Sequence, residues 1–400
     1  MPAFYYYKSV QQITLIIAKE KNGLWVKVKK TGFTTVFAND IRADAKAAWV
    51  SYFNQTNNNA NSLYHLGSIV DFVKSAYEGV NVFPDNIDVV TGGFPCQDFS
   101  VAGKRKGFNS EKSHIGKQLE IGEPTVENRG NLYMWMREVV SIVKPSVFIA
   151  ENVKGLISLE DVKSIIENDF SNAADGGYIV IPARILHSAN FGIPQSRERV
   201  FFYGFKKSAL NEKAKQCLLN LDDNKSFDPY PIPTHSFSVE GENLMPYVTV
   251  KEAFNGLSEP KQSNDISQQQ YSHAKYLPHR QGNIEVKLDR ISPTIRSEHH
   301  GNIEFRRLSK ENGGTHYQEL QQGLPERRLT IRECARLQTF PDNYQFIQPK
   351  TLENSSVNTF IALIFIADET SFSINFLAYS YIFLNYINLH IISNISFILH

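Results

Sequence analysis

Over its first 205 residues the chain alternates short runs of β-branched and aromatic residues with segments of helical character. The apolar runs are VFAND (36–40), IDVVTGG (87–93), VFIAEN (147–152), YIVIPARIL (178–186) and RVFFYGF (199–205). Strands that alternate with helices in this way predict a doubly wound α/β fold, in which a mainly parallel sheet has helices on both faces. In such folds ligands and catalytic groups collect beyond the carboxyl ends of the strands.

After residue 205 this alternation ends. The following stretch is rich in Asn, Gln, Ser, Pro and His, so we expect a second, irregular domain there. Regular structure returns in RRLTIRECARLQTFPD (327–342), where Thr330 can cap a short helix that Pro341 ends. The predicted division of the chain is 1–205 as the catalytic and cofactor domain, 206–326 as the irregular domain, 327–346 as a return segment and 347–400 as an atypical apolar tail.

Cysteine usage and charge exclude some classes of protein. The three cysteines, Cys96, Cys217 and Cys334, are too scattered for a disulfide framework and lack zinc-ligand spacing, so we expect no metal. The start MPAFYYYKSVQQ does not resemble a signal peptide, and we expect a cytoplasmic protein. Residues 271–336 contain 12 Lys/Arg and 8 Asp/Glu, which fits either a surface that contacts phosphate or an ordinary solvated face.

A thiol stands at the end of one predicted strand, in GGFPCQDFSVAG (92–103). Cys96 there is either a small buried apolar residue or a nucleophile whose pKa is lowered by helix N-termini and cations. Glu151 in IAENV and the pair Arg197 and Arg199 in IPQSRERVF lie at two further strand ends. A carboxylate after VFIA is costly to bury without a partner, and arginines two apart on a strand share a face. Cysteine, glutamate and arginine are therefore expected to converge.

Four segments, in this order and spacing, resemble the motif series of the cytosine-5 DNA methyltransferases of bacterial restriction-modification systems. They are GGFPCQDFSVAG, ENVKGL, FGIPQSRERVFF and RRLTIRECARLQTFPD. The resemblance covers about residues 31–346, and the family's variable target-recognition region falls on the irregular domain. It implies an enzyme that transfers a methyl group from S-adenosyl-L-methionine to C5 of a cytosine flipped out of double-stranded DNA.

The resemblance also implies roles for individual residues. The Cys96 thiolate would add to C6 of the base, Glu151 would hold or protonate N3, and Arg197 would contact the base carbonyl. Arg199 is expected to be a structural or phosphate partner, and Pro95 shapes the loop. The implied catalytic set is Cys96, Glu151, Arg197, Arg199, Pro95 and Gln97.

For the cofactor, the resemblance places the ribose hydroxyls on Asp40 and the adenine against Ile41. The implied cofactor-binding set is Asp40, Ile41, Ser68, Ile69, Gly93 and Leu132. Two features depart from the family. Ser68 stands where the family usually has Asp for the adenine amino group, and the glycine-rich FxGxGG loop is replaced by ITLIIAKEKNGLWVKVKKTGF (13–33), in which Gly23 alone remains before TGF.

The tail is a third departure, because no GNAVP-like motif follows Tyr344. The 31 residues from Thr370 to His400 contain no Asp, Glu, Lys, Arg, Gly or Pro. Their length and lack of charge admit a membrane span. Recurring Asn and Ser, together with the residues that AT-rich codons encode, favour translation out of frame, and we prefer that interpretation and expect no membrane association.

These departures leave three hypotheses for the function of the chain: an active or impaired DNA methyltransferase, a non-catalytic DNA-binding relic, and a tRNA cytosine-5 methyltransferase. The length of the irregular domain weighs against the tRNA-methylating branch, which lacks so large an insertion. We expect double-stranded DNA as substrate, a cognate restriction endonuclease as genetic partner, and a monomer. HHGN (299–302) and the arginines around it are candidate DNA contacts.

Overall fold

The computed structural model describes nine stretches of the chain. They comprise residues 4–9, 33–55, 59–93, 132–158, 162–222, 227–238, 244–278, 282–295 and 303–346. The cysteine loop around Cys96, the segment ITLII (13–17), HHGN (299–302) and the tail from residue 347 lie outside the described residues.

Within these stretches, seven strands form one sheet and six helices flank it. The strands are β1 (Phe4–Ser9), β2 (Phe33–Asp40), β3 (Tyr64–Leu66), β4 (Val89–Gly93), β5 (Val147–Val153), β6 (Tyr178–His187) and β7 (Glu198–Lys206). The helices are α1 (Ala43–Phe53), α2 (Ala60–Leu63), α3 (Ile69–Tyr77), α4 (Leu132–Val143), α5 (Val162–Ser171) and α6 (Glu212–Leu219). The strand order is β3-β2-β1-β4-β5-β7-β6.

Strand direction determines where the functional residues gather. β2 is parallel to β3, and β4 is parallel to β5. β1 is antiparallel to β2 and β4, and β7 is antiparallel to β5 and β6. Five of the seven described strands therefore run in one direction, and the predicted mainly parallel α/β sheet is confirmed. The edge that holds their carboxyl ends is called the site edge, and it contains Asp40, Leu66, Gly93, Val153 and His187.

The sheet has an apolar layer on each face. Phe148 of β5 packs on the side of α3, α4 and α5, whereas its neighbour Ile149 packs on the side of α1 and α6. Both faces of β5 and β7 are thus buried, which explains why their sequences are almost uninterrupted apolar runs. Gly204 of β7 lies opposite Phe148, and a Cβ atom there would collide with the phenylalanine ring.

Beyond α6 the described elements are mostly short, as the polar composition of this part predicts. The strands are β8 (His235–Ser236), β9 (Met245–Pro246), β10 (Phe305–Arg307) and β11 (Arg327–Arg328). The helices are α7 (Val250–Ala253), α8 (Ile266–Gln269), α9 (Tyr317–Gln321) and α10 (Ile331–Leu337).

The cap of α10 forms as the sequence predicts. The hydroxyl of Thr330 accepts a hydrogen bond from the Glu333 amide at 3.0 Å, and the Glu333 carboxylate accepts one from the Thr330 amide at 2.9 Å. The end of the helix differs from the prediction. α10 stops at Leu337, before Pro341, because Thr339 adopts a left-handed conformation with φ 62° and the chain turns there.

Arginines of residues 271–336, the segment with an excess of positive charge, form ion pairs inside the protein. Arg307 pairs with Glu259 and Glu319, and Arg327 pairs with Glu259 and Glu333. Both arginines are buried. Such pairs leave these guanidinium groups unavailable to phosphate, so the local excess of positive charge is in part structural.

The stability of this buried network is expected to fall at acidic pH. Burial raises the pKa of Glu259, but hydrogen bonds and charge from Arg327 and Arg307 outweigh it and lower the pKa below the usual 4.5. A carboxyl whose pKa is lowered in the folded state stabilises the protein above its unfolded pKa, and this contribution is lost as the pH falls through the folded pKa. Thermal unfolding from neutral pH to about pH 3 should therefore show a midpoint that declines below about pH 4.5.

Two variants separate this effect from general acid unfolding. Glu259→Gln should lower the midpoint at neutral pH, since it leaves two buried arginines underpaired, and it should flatten the decline at low pH. Glu311→Gln changes an exposed carboxylate of the same part of the chain and should leave the profile unchanged. An identical acid profile in wild type and Glu259→Gln would contradict the prediction.

Candidate active site

Glu151 lies near the carboxyl end of β5 and contacts a buried arginine. In the antiparallel pair of β5 and β7, Val153 lies opposite Arg199. The Arg199 Nε atom is 3.0 Å from Glu151 Oε1, and both side chains are buried. Burial of a carboxylate is costly without a positive partner, and Arg199 provides that partner. Arg199 is therefore a structural partner of Glu151.

Arg197 directly precedes β7 and is 2% exposed. The next residue, Glu198, is more exposed and pairs with Lys154 at the surface. Since side chains alternate along an extended chain, the side chains of Arg197 and Arg199 lie on the face opposite to that of Glu198. Both arginines are buried. A spacing of two residues predicts this arrangement.

β4, which precedes the cysteine loop in the sequence, ends beside Glu151. Gly93, the last residue of β4, pairs with Glu151 across the parallel strands β4 and β5. Pro95, Cys96 and Gln97 follow Gly93 closely in the sequence and lie outside the described residues. Gly93, Glu151 and Arg199 thus belong to three strands that are adjacent in the sheet, β4, β5 and β7.

Cofactor candidates lie at the same edge, around the ends of β2 and β3. Asp40 is fully buried, and its Oδ1 atom accepts a hydrogen bond from the Arg42 amide at 2.8 Å. The Asp40 carbonyl accepts one from the Gly67 amide at 3.1 Å. Ser68 caps α3 by accepting a hydrogen bond from the Val70 amide at 3.3 Å. The structure therefore brings the ends of β2 and β3 together, with a carboxylate between them.

The remaining cofactor candidates surround this group. Ile69 is the first residue of α3 and is buried, and Ile41 directly follows Asp40 and is half-buried. Leu132 begins α4, which packs against α3 and β4. Gly93 closes β4 two strands away from β2, with β1 between them.

Asn39, which was not predicted from the sequence, links the end of β2 to the end of β3. Its Nδ2 atom donates to the carbonyls of His65 and Gly67, both at 2.9 Å. Its Oδ1 atom is buried and has no hydrogen-bond partner among the described atoms. A polar residue inside the apolar run VFAND was the available signal. The unsatisfied oxygen beside Asp40 suits a ligand that offers a hydrogen-bond donor.

β1 differs from the expectation for this fold. The family pattern places a glycine-rich loop after the first strand, at the site edge. Here β1 is antiparallel to β2, with Phe4 opposite Asn39 and Ser9 opposite Phe33. The amino end of β1 therefore lies at the site edge, and its carboxyl end, Ser9, lies at the opposite edge. The described residues supply no loop from β1 beside Asp40.

Two further features concern the nine described stretches of the chain. They contain no cluster of three or more His, Cys, Asp or Glu side chains that could hold a metal ion. No helix within them has the length and apolar character needed to cross a bilayer.

Comparison with known proteins adds to this geometry. A family model described as C-5 cytosine-specific DNA methylase matches residues 22–359. The match begins inside the segment that replaces the glycine-rich loop and ends inside the apolar tail. A solved structure, the S. pombe Dnmt2 methyltransferase, is 16% identical, covers 90% of this chain and 91% of its own, and has a TM-score of 0.48.

Curated relatives are bacterial methyltransferases. The Type II methyltransferase M.NgoFVII of Neisseria gonorrhoeae is 31% identical over 349 residues, which are 82% of this chain and 77% of that protein. The Type II methyltransferase M.BsuRI of Bacillus subtilis is 27% identical over 360 residues, which are 87% of this chain and 67% of that protein. The chain belongs to the C-5 cytosine-specific DNA methylases, DNA cytosine-5-methyltransferases that take the methyl group from S-adenosyl-L-methionine.

Proposed function

We propose that this chain attacks C6 of a flipped cytosine in double-stranded DNA with the thiolate of Cys96. The observation that carries the proposal is the buried ion pair of Glu151 and Arg199 beside Gly93. Cys96 follows Gly93 by three residues, and three residues span at most about 11 Å. The thiol is thus tethered within reach of a buried carboxylate, and few structural roles require that combination.

The chemistry assigns a task to each group. The sulfur forms a bond to C6, and the electron pair of the C5–C6 double bond moves toward C5 and N3. Glu151 would stabilise the charge that develops at N3, by a hydrogen bond or by giving a proton. Arg197 would hold the base carbonyl, and Arg199 would keep Glu151 in place. When bound, S-adenosyl-L-methionine would supply the methyl group to C5 and leave as S-adenosyl-L-homocysteine, and loss of the C5 proton and of the thiolate would then restore the ring.

Asn39, Asp40 and Ile41 at the end of β2, here called the cofactor corner, fit one half of S-adenosyl-L-methionine. Asp40 offers a buried carboxylate to the ribose hydroxyls, and Asn39 Oδ1 lacks a hydrogen-bond donor. Ile41 would pack on the adenine. The methionine half has no counterpart among the described residues, and residues 10–32, which include most of the segment in place of the glycine-rich loop, lie outside them. The residues therefore support adenosine binding more than binding of the whole cofactor.

The biological setting follows from the relatives, which are Type II methyltransferases. The base must leave the duplex to reach the thiol, so the substrate is double-stranded DNA with a flipped cytosine. We place the chain in a bacterial restriction-modification system, with a restriction endonuclease that cuts the same sequence as its genetic partner. We propose a cytoplasmic monomer.

A second candidate is a DNA-binding relic that no longer holds the cofactor. The direction of β1 favours it, since a central strand that runs the wrong way removes the usual route for the glycine-rich loop. The two candidates differ in cofactor binding but not in thiol addition. Thiol addition can be measured without cofactor, because a transient bond at C6 lets the hydrogen at C5 exchange with water.

Tritium release from DNA labelled at C5 of cytosine tests Glu151 and Arg197. Glu151→Gln removes the acid that would protonate N3 and inverts part of its hydrogen-bond pattern, so release should fall by about 10²-fold or more while DNA binding changes little. Arg197→Ala should have a similar effect. Glu198→Gln is the matched control, because Glu198 lies between the two arginines yet pairs at the surface with Lys154. Wild-type release in either Glu151→Gln or Arg197→Ala would make that residue structural.

A further inference from the structure

Ser188 contacts both sides of Arg197. β6 ends at His187 and β7 begins at Glu198, so the intervening stretch carries Arg197 at its end. The Ser188 amide donates to the Arg197 carbonyl at 2.9 Å. The Ser188 hydroxyl accepts from the Arg197 amide at 3.1 Å and donates to the Gln195 carbonyl. One residue therefore fixes the peptide groups before and after Arg197.

Burial makes these hydrogen bonds consequential. Ser188 and Gln195 are each 1% exposed and Arg197 is 2% exposed. A buried backbone amide that loses its acceptor carries the full cost of desolvation. The hydroxyl of Ser188 is thus a required partner of the Arg197 amide in this packing.

The same stretch is held from its other side. The Ser196 amide donates to the Ser292 carbonyl at 2.7 Å, and the Ser292 amide donates to the Pro194 carbonyl at 2.9 Å. Ser292 is fully buried. Loss of the Ser188 hydroxyl would therefore leave the stretch attached through Ser292 and the Ser188 amide, while the Arg197 amide would lose its acceptor.

We propose that Ser188 is the positioning residue for Arg197, which it aims at the base by fixing the backbone from which the arginine side chain leaves. The inference rests on the proposed role of Arg197 in holding the base carbonyl. It predicts that the Ser188 hydroxyl affects the rate of thiol addition and not the affinity for DNA, because Ser188 is buried and its hydroxyl bonds to the backbone of Gln195 and Arg197.

Rates of tritium release from C5-labelled DNA, measured at saturating DNA, test this proposal. Ser188→Ala should lower the rate about tenfold, the loss of one buried hydrogen bond that acts on the reacting geometry. The dissociation constant for DNA should stay within about twofold of wild type. Ser188→Cys fills the same space with a weaker hydrogen-bonding group and should give an intermediate rate. It also serves if Ser188→Ala does not fold.

Ser196→Ala is the matched control. Its hydroxyl lies next to Arg197 in the chain but is 3.2 Å from His187 Nε2. Removing this hydroxyl should leave the rate of tritium release within about twofold of wild type. Both substitutions delete one serine hydroxyl from the stretch between β6 and β7.

A double substitution distinguishes positioning from a general structural role. If Ser188 acts through Arg197, Ser188→Ala should cause no further loss in an Arg197→Ala background. A tenfold loss that persists there, or a wild-type rate in the single variant, would overturn the inference. Failure of the proposed function would look different, because Arg197→Ala alone would then release tritium at the wild-type rate.

Discussion

Replacing Cys96 with serine is expected to reduce tritium release from C5-labelled DNA to the rate measured without protein. Hydrogen at C5 of cytosine exchanges only when a nucleophile adds to C6 and places negative charge on C5. A thiolate is available near neutral pH, whereas a serine hydroxyl has no comparable anion and would need its own base. DNA binding should persist, since the substitution replaces a sulfur atom with oxygen and removes no positive charge.

The other two cysteines are controls for this experiment. Burial raises the pKa of Cys334 far above its usual value, so this thiol stays protonated inside α10. Cys217 is buried on α6, which follows the end of β7 opposite to the site edge. Cys217→Ser should release tritium at the wild-type rate, with at most a lower thermal stability. Release that continues in Cys96→Ser would remove Cys96 from the mechanism.

The unmodified chain is expected to bind S-adenosyl-L-methionine weakly or not at all. β1 is antiparallel to β2, so its last residue, Ser9, lies at the edge opposite to Asp40. The sequence also lacks the glycines that let a backbone approach the methionine group, with Glu20, Trp25 and Val26 among the residues in their place. Calorimetric titration with the cofactor should therefore show no micromolar binding.

A graft makes this expectation testable in both directions. Replacing residues 10–32 with a strand and an FxGxGG loop should restore cofactor binding and methylation. In the grafted chain, Asp40→Asn should weaken binding again by about tenfold, since the ribose hydroxyls would lose a charged acceptor. Micromolar binding of S-adenosyl-L-methionine by the unmodified chain would contradict the hypothesis of an impaired enzyme and leave the family assignment intact.

Much of the fold could be predicted because strands buried on both faces leave a clear pattern. IDVVTGG and VFIAEN are short apolar runs between helical segments, and both became strands of the sheet. β3 was missed because three residues, YHL, carry too little pattern. The direction of β1 could not be predicted, since pairing direction depends on the connection between strands and not on the residues of FYYYKS.

The contacts of the candidate site residues were less predictable than their places in the sequence. Residue type and position at strand ends identified Glu151 and the two arginines. Spacing could not show which arginine pairs with Glu151, because that depends on the register of β5 against β7. Ser188 left no usable pattern, since single polar residues in turns are common, and the signal for Asn39 was a polar residue inside the apolar run VFAND. Counting charges likewise could not separate Arg307 and Arg327, which are buried and paired, from arginines that face DNA.

A covalent adduct between the protein and DNA is the most direct test that Cys96 adds to the base. Duplexes with random flanks and 2-pyrimidinone in place of a cytosine favour addition at C6, because the ring lacks the electron-donating amino group. No cofactor is needed for the adduct to form. The protein is expected to form a complex that survives denaturant, and mass spectrometry should find the DNA remnant on the tryptic peptide 75–104, whose single cysteine is Cys96. An adduct on another peptide, or no adduct under conditions that saturate DNA binding, would contradict the assignment of Cys96 as nucleophile.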